Sequence, residues 1–330
     1  MKRVMIFVAA CSALLLASCS KDRKDAVVSQ DEAGKVEVFF SINGDEVTRS
    51  VGNTYANESK VNSLQILVFN EDGSIADYKD AGAAMSAAFL TSSGNKTIWA
   101  VVNAPSLSDV TSLTGLVSRT TDLADNSVDS FVMTGSVQAE LTDGASIGIT
   151  VKRLVARVSI AKVSVNFKSS LLVGKELKIT GMYLINVAGE HTYGLTGNPT
   201  EWYNKLGHYD SDVDALLYDG VSSVVTPESP YEVEHVFYPY PNPVAEDPHT
   251  SPWSPRHTIL DIEVELDGEK GWYPIVLPQI ERNKTYSIEE VIITRSPSKE
   301  PYIPVETGES TVSVSVADWE LGLNLGTITI

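Results

Sequence analysis

Cysteine is missing from almost the whole chain, because the only two, Cys11 and Cys19, lie close to the start of the 330 residues. Disulfides, thiolate zinc sites and cysteine nucleophiles are therefore excluded from everything after Cys19. Basic residues are also scarce, since 25 lysines and arginines face 43 aspartates and glutamates and the formal net charge is -18. This acidic balance, without a basic cluster, argues against a nucleic-acid partner.

Aromatic residues are few, at 8%, and no apolar run is long enough to span a bilayer as a helix. The hydrophobic share of 43% still permits a sizeable core, which excludes a disordered protein. A chain of 330 residues is long enough for two domains of about 150 residues each. Without disulfides, core packing must stabilise them.

The N-terminus has the pattern of an export signal. A Lys2-Arg3 pair precedes an apolar run at residues 4–16, which is too short for a membrane-spanning helix. The run ends in Leu16-Ala17-Ser18-Cys19, which resembles the lipobox of bacterial lipoproteins. This resemblance implies that residues 1–18 are a signal peptide and that Cys19 becomes the first residue, acylated with lipid chains such as palmitate that hold it on a membrane.

Most of the remaining chain consists of short segments in which apolar and polar residues alternate, as in half-buried strands. In the first of them the apolar positions are Val36, Val38, Phe40 and Ile42. Further strands are predicted at residues 63–69, 97–103, 146–165, 176–187, 233–238, 258–266, 272–277, 285–294, 310–319 and 326–330. Short helices are expected within residues 106–117 and 210–217.

This strand spacing predicts an all-β fold of two tandem β-sandwiches. We place the division near residues 166–170, which gives sandwiches over residues 50–167 and 168–320. Residues 227–255 hold eight of the fifteen prolines and therefore cannot form a central strand. In this proline-rich loop, Tyr240 and Trp253 either stack on a partner or sugar, or pack against their own domain.

Catalytic patterns are weak. The histidines at positions 191, 208, 235, 249 and 257 form no His-Glu-x-x-His motif, and no serine lies in a Gly-x-Ser-x-Gly elbow. Glu263 and Glu265, about 7 Å apart on one strand face, could suit a glycosidase pair but are interpreted as a solvated face. Arg153 and Arg157 are expected on one face of a single strand, where they pair with carboxylates or meet an acidic neighbour.

Metal-binding patterns are also weak. The carboxylates at positions 210, 212 and 214 have the spacing of a calcium loop, but Ala215 and Val221 replace its glycine and its bidentate glutamate. We predict a protein that is not an enzyme and that has no metal site and no cofactor.

Several segments follow one another in a characteristic order: the lipobox, an early strand followed by an arginine, and the motifs LQILVFNEDG (64–73), VKRLVARV (151–158), IERNKTY (280–286) and VSVSVADW (312–319). Their order and spacing resemble the fimbrillins of Bacteroidetes, the major fimbrial subunits or type V pilins. The resemblance covers the chain from Cys19 onward, and it implies two transthyretin-like sandwiches.

The resemblance also implies a route of assembly. Such subunits reach the outer membrane as lipoproteins, and an arginine-specific surface protease removes the lipidated segment together with the first strand. Arg49, followed by Ser50, matches the cleavage position, so residues 19–49 would form the tether and the removable strand. A C-terminal strand from a neighbouring subunit then fills the open groove and builds an extracellular fimbrium.

The chain after Trp319 has the pattern expected of such a donor strand, residues 321–330. Its apolar residues alternate and then shift by one position: Leu321, Leu323 and Leu325, followed by Ile328 and Ile330. Burying these five side chains would contribute about 7 to 15 kcal/mol before ordering costs. An ordinary last strand that pairs within its own domain would show the same pattern.

The sequence therefore favours a shaft subunit of a surface fimbrium that supports adhesion. The expected partners are identical or related fimbrial subunits, the outer membrane through the lipid on Cys19, the protease, and a receptor on a host or bacterial surface. Alternatives are an anchor subunit that retains its lipid, a tip subunit without a donor tail, and a surface glycan-binding lipoprotein that uses Tyr240 and Trp253. The apolar tail argues against a tip subunit.

Overall fold

Strands dominate the part of the chain that this computed structural model describes, which is residues 34–44, 57–208, 213–246, 248, 250–305, 315–319 and 327–329. In chain order they are β1 (Lys35–Gly44), β2 (Leu64–Phe69), β3 (Ile75–Asp80), β4 (Ser86–Ser92), β5 (Gly94–Val102), β6 (Thr120–Asp122), β7 (Met133–Leu141), β8 (Ala145–Arg153), β9 (Arg157–Ile160), β10 (Val163–Val165), β11 (Leu177–Ile185), β12 (Val187–Ala188), β13 (Glu190–Thr192), β14 (Trp202–Tyr203), β15 (Tyr218–Val225), β16 (His235–Phe237), β17 (Ile259–Leu266), β18 (Glu269–Val276), β19 (Lys284–Ile288), β20 (Glu290–Ile293), β21 (Ser315–Asp318) and β22 (Thr327–Thr329). The all-β prediction is confirmed.

Helices are short, as the sequence predicts. They are α1 (Leu113–Ser118) and α2 (Asp214–Leu217), with 3₁₀ turns at Leu123–Asp125 and Lys205–Gly207. Helix α1 begins at Ser112, whose hydroxyl accepts a hydrogen bond from the Gly115 amide. None of the helices in the described residues has the length and apolar content needed to cross a membrane.

The first half of the chain forms one seven-stranded sheet in the order β3-β2-β5-β7-β8-β1-β4. This sheet folds over on itself, so that the inward side chains of β1 and β8 share a core with those of β2 and β5. β7 and β8 pair only at Met133–Arg153 and Thr134–Lys152, where the sheet turns the corner. Gly135 permits this close approach, because a Cβ atom there would lie 2.0 Å from the Thr150 carbonyl oxygen.

The second half contains two four-stranded sheets, in the orders β15-β11-β17-β18 and β16-β9-β19-β21, and a three-stranded sheet in the order β10-β20-β22. Their inward side chains form a second core, to which Leu67 and Phe69 of β2 and Phe131 also belong. A small sheet joins β6 to β13 and so links the two halves. The predicted limits of the two sandwiches stay a prediction; the chain leaves the first sheet after β8, before residues 166–170.

The boundaries of the predicted strands needed several corrections. Residues 146–165, expected as one strand, form β8, β9 and β10, because residues 154–156 leave the sheet and bond elsewhere: the Ala156 amide donates to the Pro239 carbonyl and the Val155 carbonyl accepts from the Asn283 amide. Residues 285–294 are likewise divided between β19 and β20. The sequence analysis missed β3, β4, β7 and β15, whose outward positions and small residues weaken the apolar alternation.

Asp261 is the most unusual buried residue of the second half. It lies on β17 opposite Tyr183 and is 0% exposed, and neither of its carboxylate oxygens has a hydrogen-bond partner among the described residues. Burial raises the pKa of Asp261 well above its usual value, and the neighbouring Glu263 carboxylate raises it further. The folded chain therefore holds this proton more tightly than the unfolded chain does.

Asp261→Asn should change how stability depends on pH. Asp261 supports folding at low pH, and this contribution is lost as the pH rises through its raised folded-state pKa. In acid, we expect the variant and the wild type to have similar free energies of unfolding. Above a pH of about 4, the variant should become the more stable of the two, by about 1.4 kcal/mol per pH unit, until the folded-state pKa of Asp261 is reached. Urea unfolding from acidic to neutral pH measures this, with Glu265→Gln as the exposed control. Parallel profiles for wild type and Asp261→Asn would contradict the expectation.

Candidate functional site: the first strand, its groove and the root of the tail

β1 occupies an interior position of the seven-stranded sheet. It pairs antiparallel with β4, from Lys35–Ser92 to Ser41–Ser86, and parallel with β8, from Val38–Ala145 to Gly44–Val151. Both of its backbone edges are therefore used. Without β1, facing edges of β4 and β8 would be left with unpaired amide and carbonyl groups.

The inward face of β1 is a structural part of the core. Val38, Phe40 and Ile42 are at most 4% exposed, and Val36 packs at the edge of the same cluster. The Phe40 ring stacks on Phe89 of β4 with 4.9 Å between centroids. Burial of the three fully inward side chains contributes about 5 to 9 kcal/mol before entropic costs. The predicted alternation of β1 is confirmed.

The outward face of β1 is much less covered. Phe39, between two core positions, is 46% exposed. The turn between β7 and β8 closes over the start of the strand: the Glu37 amide donates to Asp143 Oδ1 at 3.1 Å, and the Glu37 carbonyl accepts from the Gly144 amide at 2.9 Å. β1 is thus held by two neighbours and by one turn.

The predicted processing residues lie outside the described part of the chain. Cys19, Arg49 and Ser50 belong to residues that the structure does not describe. The segment that joins β1 to β2 is the only covalent connection between β1 and the rest of the sandwich, and Arg49 lies within it. A single cut there would separate β1 from the following chain.

The C-terminal tail is described only in part. Among the predicted donor residues, Leu321, Leu323, Leu325 and Ile330 lie outside the described residues, whereas Ile328 lies in β22. β22 pairs parallel with β20 of the same chain, with Ile328 opposite Val291. The described end of the tail therefore forms a three-residue edge strand within its own subunit.

A buried cluster around Glu58 fixes the root of this tail. The Glu58 carboxylate is 5% exposed and accepts hydrogen bonds from the Tyr238 hydroxyl at 2.6 Å and from the Trp319 indole nitrogen at 3.3 Å. The Arg157 guanidinium lies 3.3 Å from the same carboxylate. The Arg153 guanidinium covers the Trp319 ring at 4.6 Å from its centroid. This network, which we call the Glu58 cluster, joins both halves of the chain.

Arg282, in the turn before β19, makes a second set of buried hydrogen bonds next to the Glu58 cluster. It donates to the carbonyls of Lys152 and of Arg153 and to both oxygens of Thr134, and so it stabilises the corner where β7 meets β8. Burial lowers the pKa of Arg282 to about 10, which leaves the guanidinium charged at neutral pH. The next residue, Asn283, accepts the Trp319 amide on its carbonyl at 3.1 Å.

The prediction that Arg153 and Arg157 lie on one face of a single strand is wrong. The two residues lie on different strands, at the end of β8 and at the start of β9, and they are 9% and 4% exposed. The expected pairing with carboxylates is confirmed for Arg157, which approaches both Glu58 and Glu234. Sequence reasoning missed Glu58 and Tyr238, because neither stands in a motif and their contacts are long-range.

The aromatics of the proline-rich loop are packed against their own domain. Tyr240 is 0% exposed, donates to the Asp122 carbonyl at 3.0 Å and accepts from Asn126 Nδ2 at 2.9 Å. Trp253 is half-buried and meets Trp202 edge-on at 5.6 Å. Tyr240 is therefore unavailable for stacking on a sugar, and the glycan-binding interpretation loses its main support.

The carboxylate pair on β17 behaves as a solvated face. Glu263 pairs with Lys270 at 2.8 Å and accepts from the Thr180 hydroxyl, while Glu265 pairs with Lys178 at 3.7 Å. The aspartate triplet that starts at position 210 lies largely outside the described residues. Among the described residues, no group of three or more potential ligands could hold a metal ion.

The importance of β1 for the uncut chain can be measured with two adjacent phenylalanines. We expect Phe40→Ala to lower the free energy of unfolding by about 3 to 5 kcal/mol, because it leaves a cavity against Phe89. Phe39→Ala, at the exposed neighbouring position, should cost less than about 1 kcal/mol. Urea unfolding of the chain that retains β1 gives both values. Equal effects of the two substitutions would show that β1 does not contribute to the core as described.

The chain is similar to known fimbrial proteins in sequence and in fold. Residues 36–167 match the family model described as "Major fimbrial subunit protein (FimA)". The candidate fimbrium tip subunit Fim1C of Parabacteroides distasonis is 26% identical over 306 residues, which cover 81% of this chain and 76% of that protein.

Two crystal structures share the fold. A fimbrilin (FimA) from Porphyromonas gingivalis superposes with a TM-score of 0.62 at 17% identity, covering 88% of this chain and 99% of that one. A candidate cell adhesion protein from Parabacteroides distasonis gives 0.62 at 19% identity, with 89% and 99% coverage. Residues 36–167 thus match a family of major fimbrial subunits, and the described chain shares the fold of a fimbrilin and of a cell adhesion protein from Bacteroidetes.

Proposed function

We propose that this chain is a polymerising shaft subunit of a cell-surface fimbrium that supports adhesion. It is exported as an outer-membrane lipoprotein on Cys19, cut after Arg49, and joined to the next subunit by donation of residues 321–330. The observation that carries the proposal is the place of β1. It is an interior strand of the sheet and belongs to the core, yet it is also the first strand and is tied to the rest only through the segment that contains Arg49.

Removal of β1 would create a site that a second copy of the chain can fill. The groove would be lined by the edges of β4 and β8 and floored by apolar residues of β2 and β5. A strand added in trans satisfies such edges through main-chain hydrogen bonds, and its alternate side chains enter the vacated pockets. Leu321, Leu323 and Leu325 have the two-residue spacing of Val38, Phe40 and Ile42.

The position of the tail is compatible with its release. β22 is an edge strand of only three residues, and it pairs with β20 on one side. A few backbone hydrogen bonds contribute about 0.5 to 1.5 kcal/mol each, far less than burial of several leucines in the groove. Loss of the short pairing between β22 and β20 is therefore a small cost of donation.

A tip subunit is the second candidate. The relative Fim1C is described as a candidate fimbrium tip subunit. In addition, β22 pairs within its own chain, which is what we expect of a tail that is never donated. The apolar alternation of residues 321–330 favours the shaft, because a tip subunit has no need of a donor strand. An anchor subunit would differ from both, since it would keep the lipid on Cys19.

The N-terminus of the surface protein is the decisive measurement for processing. We expect intact mass and N-terminal sequencing of protein recovered from the cell surface to give a chain that begins at Ser50. Arg49→Ala should leave the chain uncut, with β1 in its groove, and abolish its entry into fimbria. Arg295→Ala, at an exposed arginine that follows β20, is the control and should be processed normally.

A surface chain that begins at acylated Cys19 would overturn the shaft assignment and favour the anchor subunit. Deletion of residues 321–330 separates shaft from tip. For a shaft subunit the deletion should leave monomers and no fimbria, whereas for a tip subunit fimbria should still form with one copy at the end.

A further inference from the structure

The two ends of the processed chain meet in the Glu58 cluster. Glu58 lies a few residues after Ser50, where the processed chain would begin, and Trp319 lies two residues before the tail begins at Leu321. The indole nitrogen of Trp319 donates to Glu58 across 261 positions of sequence. The root of the tail is thus fastened to the opposite end of the same chain.

Trp319 is held from every side that the structure describes. Its ring stacks on Tyr238 at 6.0 Å and meets Phe131 edge-on at 6.3 Å, and the Arg153 guanidinium covers it. Its backbone amide donates to the Asn283 carbonyl. It is only 7% exposed. An indole in this setting resists rotation, because movement would break a buried hydrogen bond and uncover a buried cation.

The cluster also connects the tail to the groove. Arg153 is the last residue of β8, and β8 is one wall of the groove around β1. The Arg153 Nε atom donates to the Glu58 carbonyl at 2.9 Å, and its guanidinium lies on Trp319. Tension on a strand paired with β8 would therefore be transmitted to Trp319 through Arg153. From Trp319 the tension would be transmitted to the tail that the subunit donates to its neighbour.

We propose that the Glu58 cluster is the mechanical anchor of the donated tail, in which Glu58 and Trp319 are positioning residues that carry load from the groove of one subunit to its own tail. This inference rests on the proposed donor-strand assembly. It adds a role for residues that lie in neither the groove nor the tail, and it requires no contact between subunits other than the donated strand.

The test compares two tryptophans that make the same kinds of contact. Trp272 also donates one indole hydrogen bond, to the Tyr183 hydroxyl at 2.8 Å, and also has a cation over its ring, Lys270 at 5.2 Å. It is part-buried and lies on β18, in a different sheet from β21 and β22. Trp319→Phe and Trp272→Phe each remove one indole donor and retain an aromatic ring. Fimbria isolated from cells that express the full chain would be sheared, and their length followed by electron microscopy.

We expect both variants to lower the unfolding temperature of the monomer. Only Trp319→Phe fimbria should break faster under shear, by about two- to tenfold, as expected for the loss of one buried hydrogen bond. Glu58→Gln should increase breakage in the same way. The proposed role of the Glu58 cluster is refuted if wild-type and Trp319→Phe fimbria break at equal rates. It is also refuted if Trp272→Phe fimbria break as fast as Trp319→Phe fimbria.

Failure of the underlying assembly has a different signature. Fimbria that persist after deletion of residues 321–330 would show that this chain does not donate its tail, and the anchor would then have no load to carry. Fimbria that require the tail but do not depend on Trp319 would refute the anchor alone.

Discussion

An interior position in a β-sheet cannot be left empty, and this constraint governs the molecule. β4 and β8 both direct backbone donors and acceptors toward β1, and the core beneath them is closed by Val38, Phe40 and Ile42. Whatever occupies that position must supply two ladders of hydrogen bonds and a row of apolar side chains. The first strand of the chain meets this requirement while remaining connected to the following strands by one segment. Under the proposed processing, a single cut in that segment would open the sheet.

Charge is organised around a second constraint, the cost of burying ions. The chain carries far more acidic than basic residues, yet Arg153 and Arg157 are buried and Arg282 is largely covered. Arg157 is compensated by Glu58, and Arg153 by an aromatic face, the Glu58 carbonyl and the Asn283 side chain. Arg282 is compensated by three main-chain carbonyls and the Thr134 hydroxyl. Removal of one partner from such a network leaves an uncompensated charge, which costs more than the network contributes while intact. The Glu58 cluster therefore fixes the relation between the two halves of the chain.

The two constraints meet at the corner of the first sheet. β8 is both a wall of the groove and, through Arg153, a part of the Glu58 cluster, while Arg282 holds the short pairing of β7 with β8. In the proposed assembly, a subunit accepts a strand at one place and offers one at another without coming apart between them. In this chain the connection between the two places consists of packed and hydrogen-bonded side chains rather than of a flexible linker.

Local chemistry along the chain was enough to establish the all-β class, the inward face of β1 and the exclusion of disulfides, because alternation and residue type are properties of neighbouring positions. Alternation tells which side of a strand is apolar, but it does not identify the strand beside it or where a long run breaks. From the sequence, residues 146–165 are therefore predicted as one strand and Arg153 and Arg157 as one face, and the surroundings of Tyr240 stay open. Tertiary structure alone placed β1 between β4 and β8, buried Tyr240 and brought Trp319 to Glu58, since each of these depends on contacts between residues far apart in sequence.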